Sequence, residues 1–157
     1  MSSTTGQHSD QLRIWQQNIN KSHVAQEDLI NSDVYRHFDL LLLQEPYIDS
    51  YGNMKATKDW RVAYLSNHLS SDKPLHAVIL VSTSLDTNKW LQISVLGTNT
   101  LIAIQVQGSS GHLHIYNIYN DCHHDDTLDA LDTRLQACQG QAGTDLDNFM
   151  LWGDDFN

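Results

Sequence analysis

Basic side chains are scarce in this sequence. There are 9 Lys+Arg against 19 Asp+Glu in 157 residues, a formal net charge of −10. Such a chain lacks the basic footprint expected of a protein held electrostatically to a nucleic-acid backbone. If it acts on phosphates, a bound divalent cation must supply the local positive charge. Cysteine is scarce too. Cys122 and Cys138 are the only two, which excludes a disulfide framework and suits a reducing intracellular compartment. No apolar run approaches the roughly 18 residues that span a bilayer, so no membrane partner is expected. Residues 1–10 lack the basic-then-apolar order of a secretory signal. No G-x-G-x-x-G follows the first strand, which argues against a dinucleotide site. Internal repeats and low-complexity tracts are absent.

What remains fits one globular domain. A hydrophobic fraction of 40% and an aromatic fraction of 8% can build a sizeable core. A chain of this size buries roughly 68–70% of its unfolded surface. The stretch from Asp39 to Tyr47 organises it, with Leu40-Leu41-Leu42-Leu43 running straight into Gln44-Glu45-Pro46. The run is short, and Pro46 biases Glu45 towards extended backbone, so it reads as a strand. A strand with no polar alternation is covered on both faces. Open sheets place their sites outside strand ends, so Glu45 reads as a metal ligand. A solvated glutamate at a strand terminus is the alternative.

Residues 1–11 read as a disordered lead-in and residues 12–157 as the domain. A first strand covers residues 12–18, and Ser22 caps a helix over residues 23–31. Residues 48–76 are irregular, with a short strand at 60–65. Ala77 to Val81 is apolar and β-branched, a central strand. Strands follow at residues 90–96, where Leu91, Ile93 and Val95 form the buried face, and at 101–106. Gly108 to Gly111 is a hairpin-type loop. The strand at 113–119 puts Leu113, Ile115, Asn117 and Tyr119 on one face and His114, Tyr116 and Ile118 on the other. Asp126 caps a helix near residues 127–139, with Leu128, Leu131, Leu135 and Cys138 as its apolar stripe and Gly140 as its stop. Phe149 to Trp152 is the last strand. The order β-α-β, several antiparallel strands, then α-β predicts an α/β sandwich of two sheets packed face to face with outer helices.

Four strands end in polar residues: Asn18 with Asn20, Glu45, Tyr119 to Asp121, and Asp155 with Asn157. An oxygen-rich set suits Mg²⁺ or Mn²⁺ rather than zinc. In phosphodiester hydrolysis the metal would neutralise charge on the phosphoryl group. Asp155 would orient or deprotonate a water, and Asn157 would position phosphate or water. Tyr119 reads equally as a core tyrosine with its hydroxyl at the rim.

The segments Trp15-Gln16-Gln17-Asn18-Ile19-Asn20-Lys21, Leu43-Gln44-Glu45-Pro46, Asn117-Ile118-Tyr119-Asn120 and Asp155-Phe156-Asn157 resemble successive motifs of the endonuclease/exonuclease/phosphatase superfamily. Within it the chain is most similar to the apurinic-endonuclease-like domain of non-LTR, LINE-type retrotransposons. The resemblance covers roughly residues 12–157. It implies a four-layer α/β sandwich that cuts DNA with Mg²⁺ or Mn²⁺ and works in the nucleus. By the same resemblance Glu45 is the metal ligand and Asn18 shapes the metal and phosphate site. Tyr119 contacts the scissile phosphate, Asp155 aligns or activates water, and Asn157 holds phosphate or water.

Two departures from the family pattern matter. Asp154 stands directly before Asp155, where the family has Gly or an apolar residue. The family pattern also continues past Asp-Phe-Asn with further strands of the second sheet and a Ser-Asp-His-like motif. Its absence here predicts a truncated domain with an incomplete second sheet, impaired catalysis and self-association through exposed apolar surface. A phosphatase acting on small phosphate esters and a non-catalytic relic are the alternatives. The remaining histidines carry less. His123 and His124 read as a solvated loop, His112 and His114 as edge-strand surface residues, and His68 and His76 give no spacing signal. Trp15, Trp90 and Trp152 read as core.

Overall fold

The computed structural model describes residues 11–55, 57–65, 74–95, 98–109, 111–120, 125–140 and 148–156, and their side chains except at 138–140, 148, 155 and 156. The lead-in at residues 1–10, His68, Cys122, His123, His124 and Asn157 lie outside the described residues, as does the Cys138 side chain.

Eight strands form two four-stranded mixed sheets. The first contains β1 (Ile14–Asn18), β2 (Leu40–Gln44), β3 (Trp60–Ala63) and β4 (Ala77–Ser82), in the order β1-β2-β4-β3. β1 and β2 run parallel, with helix α1 (His23–Asn31) and a 3-10 turn at Asp33–Arg36 between them in sequence. β4 is antiparallel to both its neighbours. The second sheet contains β5 (Trp90–Ile93), β6 (Leu101–Gly108), β7 (Gly111–Asn120) and β8 (Asn148–Phe156), in that order. Only its β7–β8 pair is parallel. Helix α2 (Asp126–Gly140) makes that crossover.

The all-apolar strands are the two inner strands of the first sheet. Every residue of β2 and β4 is buried, because each strand has a strand on either side and protein on both faces. One core cluster joins Leu40 to Leu43 and Ala77 to Val81 with Ile102, Ile104, Val106 and Ile115 of the second sheet and with Ile30 of α1. Each fully buried leucine contributes about 1.5–3 kcal/mol of transfer free energy. Alternation sends Leu101, Ala103, Tyr116 and Ile118 to the other face, where Leu131 of α2 covers them. The arrangement is an α/β sandwich, as the element order predicts.

Ser22 caps α1, its hydroxyl accepting from the Ala25 amide at 3.2 Å. Other expectations need correction. The second helix starts at Asp126, with the Asp129 amide bonded to the Asp125 carbonyl, so the cap position precedes Asp126. Its buried face carries Thr127 and Leu131, while Leu128 is exposed. Leu91, on the outer strand β5, is exposed as well. Trp15 and Trp152 lie on outer strands and are exposed; Trp60 is the buried tryptophan. His112 and His114 are not edge residues. β7 is an inner strand, and Gln105 on β6 bridges both rings, with bonds of 3.1 and 3.0 Å.

Candidate active site

The parallel β1–β2 pair brings two strand ends to one rim. Asn18 stands beside Gln44 in the ladder, and the Ile19 amide donates to the Gln44 carbonyl at 2.9 Å. Beyond that point both chains leave extended geometry. Asn20, Lys21 and Glu45 have φ of 51°, 55° and 45°. Left-handed backbone costs an ordinary residue about 1–2 kcal/mol, although asparagine tolerates it. The three strained residues form one bonded unit. The Lys21 amide donates to the Glu45 carbonyl at 2.8 Å, and the Asn20 amide to Asn18 Oδ1 at 2.7 Å. The Glu45 amide donates to the His76 carbonyl at 2.8 Å, which fixes Glu45 from the β4 side. Strained backbone of this kind clusters at functional sites in proteins, which makes this rim the candidate.

The second sheet supplies Tyr119. Its hydroxyl donates to Glu45 Oε1 at 3.1 Å. Among the described residues nothing else bonds this half-buried carboxylate. The Tyr119 ring stacks on His76, with centroids 5.0 Å apart and planes 6° from parallel. His76 in turn donates its amide to the Asn99 carbonyl at 3.2 Å.

Two buried amides hold this arrangement from below. Gln44 and Asn117 are both 0% exposed. Gln44 Nε2 donates to Asn117 Oδ1 at 2.5 Å, and Asn117 Nδ2 donates to the carbonyls of Leu43 and Val78 at 2.9 and 2.6 Å. Gln44 directly precedes Glu45, and Asn117 stands two residues before Tyr119 on the same face of β7, so the bridge ties the Glu45 and Tyr119 strand ends together. A third amide, Gln26 of α1, bonds both the N–H and the C=O of Tyr47 and steadies the chain leaving Pro46.

Of the sequence candidates, Asn18, Glu45 and Tyr119 come together at this rim. Asp155 is placed by the backbone alone: it is the ladder partner of Tyr119 on β8. It lies within the strand rather than beyond its end. β8 closes on the first sheet at Gly153, where a Cβ would collide with Leu42 Cδ1 and sit 3.3 Å from Gln16 Oε1. Gln16 Nε2 also donates to the Asp154 carbonyl at 2.6 Å. Sequence reasoning missed Gln44, Asn117 and His76. The first two lie inside the quoted motifs; His76 has no local signal, because its place depends on the β2–β4 register.

Among the described residues no group of three or more His, Cys, Asp or Glu side chains is placed to hold a metal. Among the described side chains, Glu45 offers a carboxylate and Asn18 an amide at the rim. Mg²⁺ takes one or two carboxylates and completes its shell with water and phosphate oxygens, so a Glu45 carboxylate bonded at one oxygen fits such an ion. No described helix is long and apolar enough to cross a membrane.

No family model and no curated protein matches the sequence. Solved structures do match. The endonuclease domain of TRAS1, a telomere-specific non-LTR retrotransposon, superposes with a TM-score of 0.64 at 18% identity, over 92% of this chain and 58% of that one. A humanized D. rerio TDP2 carrying 14 mutations superposes with a TM-score of 0.56 at 18% identity, over 94% of this chain and 63% of that one. The chain spans less than two thirds of either neighbour. At this identity the likeness speaks for the fold, and the fold of this chain is of the endonuclease/exonuclease/phosphatase type.

Proposed function

We propose that this chain is a phosphodiester-hydrolysing domain acting on DNA, with Mg²⁺ or Mn²⁺ held by Glu45 and Asn18. The observation that carries the reading is the hydrogen bond from Tyr119 to Glu45, which joins the two sheets at one rim. When bound, the cation would neutralise charge on the phosphoryl group. The protein's own groups do the rest. Tyr119 contacts the scissile phosphate, Asp155 orients or deprotonates the attacking water, and Asn157 holds phosphate or water. A product of a LINE-type element would meet chromosomal DNA in the nucleus.

Nicking of supercoiled plasmid detects a single cut per molecule and suits a slow enzyme. Nicking that requires Mg²⁺ or Mn²⁺ and is abolished by Glu45→Ala is the expected result. Metal-independent nicking, or wild-type nicking by Glu45→Ala, would overturn the reading. The net charge of −10 favours a second reading, hydrolysis of small phosphate esters. Release of inorganic phosphate from such esters, run in parallel, separates the two. Metal binding with turnover of neither substrate would identify a non-catalytic relic.

A further inference from the structure

The rim contains a lysine in a conformation that lysine disfavours. Lys21 has φ 55°, directly after Asn20 at φ 51°. Glycine would adopt this backbone without penalty. The amide bond from Lys21 to the Glu45 carbonyl does not depend on the side chain and would survive as glycine. The strain is therefore tied to what the lysine side chain does, not to the turn itself.

The backbone roots this side chain at the rim beside Glu45. Lys21 is exposed, and its ammonium forms no ion pair with a described residue. Arg13 is engaged with Asp39 at 3.0 Å and Lys55 with Glu27 at 2.7 Å. In a chain with 9 Lys+Arg against 19 Asp+Glu, a free cation pinned beside Glu45 is a rare resource. Its flexible four-carbon stem carries a compact charge suited to a single phosphate oxygen.

We propose that Lys21 binds the substrate phosphate, its ammonium pairing with a non-bridging oxygen at the Glu45–Tyr119 rim. The proposal rests on the reading of that rim as a phosphodiester site. It makes Lys21 a substrate-binding residue in addition to those already named.

The test compares wild type, Lys21→Gly, Lys21→Ala and Lys21→Arg, with Lys55→Ala as a control for loss of charge elsewhere. Binding of a fluorescent 20-base-pair duplex is followed by anisotropy in Mn²⁺ at several salt concentrations. Lys21→Gly is expected to raise Tm by about 2–4 °C, because strain is relieved, yet to weaken DNA binding. The slope of log K against log salt should fall in magnitude by about 0.9, one phosphate contact. Lys21→Arg should keep affinity and slope; Lys55→Ala should change neither. A second arm follows inorganic phosphate by ³¹P line-broadening with Mn²⁺. An effect of Lys21→Gly in this arm alone assigns the phosphate to a small ester. If Lys21→Gly and Lys21→Ala bind both probes as wild type does, the Lys21 proposal is overturned, while Mn²⁺ binding lost in Glu45→Ala would still support the site. If wild type binds neither probe, both proposals fall.

Discussion

Gln44 Nε2 donates to Asn117 Oδ1 across 2.5 Å in a region closed to solvent, and this bond ties the two sheets together directly beneath the candidate site. Asn117→Leu removes an acceptor and two donated bonds, leaving the Gln44 amide buried without its partner. The expected loss is about 1–3 kcal/mol. Replacing both residues, as Gln44→Leu with Asn117→Leu, should cost less than the two single changes added together, because no amide is then orphaned. Urea unfolding of the three variants measures the difference.

The Tyr119 hydroxyl touches a carboxylate, and hydrogen bonds to charged groups are worth about 1.5–3 kcal/mol. Tyr119→Phe should keep the fold and the stack on His76 but slow plasmid nicking roughly 10- to 100-fold. His76→Phe should preserve the rate better than His76→Ala, since only the former keeps an aromatic face against Tyr119. Equal rates for the two His76 variants would show that the stack does not orient the phenol.

His114 is 8% exposed between β6 and α2. Burial first, then the positive field of Arg134, then His112, hold its pKa below the ordinary value of 6.5. The unfolded chain therefore binds this proton more readily than the folded one, and stability rises with pH. The contribution is fully present above the ordinary value and is lost as pH falls through it towards the depressed folded value. His114→Gln keeps a polar group for Gln105 and removes the titration. Between pH 7.5 and 5.0 the variant should lose less Tm than wild type.

Phe149, Met150, Leu151 and Trp152 are 57%, 40%, 41% and 43% exposed along β8, whose outer edge has no partner among the described strands. Unpaired apolar edges associate. Light scattering should show a mass that grows with concentration, and Leu151→Lys should reduce it. A monodisperse, cooperatively unfolding wild-type monomer would contradict this.

The strands at the centre were the easiest to read. Leu40 to Leu43 and Ala77 to Val81 are apolar throughout because both faces are covered, whereas the equally apolar run Phe149 to Trp152 lies exposed on an outer strand. On β7 alternation assigns the faces the structure has: Asn117 points between the sheets, and Tyr116 and Ile118 pack near α2. Periodicity failed where it had to say what lies opposite. Leu91 and Leu128 are exposed although Ile93, Val95 and Leu131 of the same apolar stripes are buried, and Trp15 and Trp152 sit on outer strands. Three candidate residues were legible because each ends or pairs at a strand terminus. His76 was not, since only the β2–β4 pairing carries it from an irregular segment to the flank of Glu45.

Glu45 belongs to one sheet and Tyr119 to the other, so neither sheet alone carries the site. Any molecule gripping both residues acts as a rivet across the seam. It gains affinity only when the halves are closed, and it raises the free energy of prying them apart by RT ln(1 + [L]/Kd). A substrate or cation bound there would become part of what holds the molecule shut, and thermal denaturation in its presence would read out occupancy even where no bond is cut.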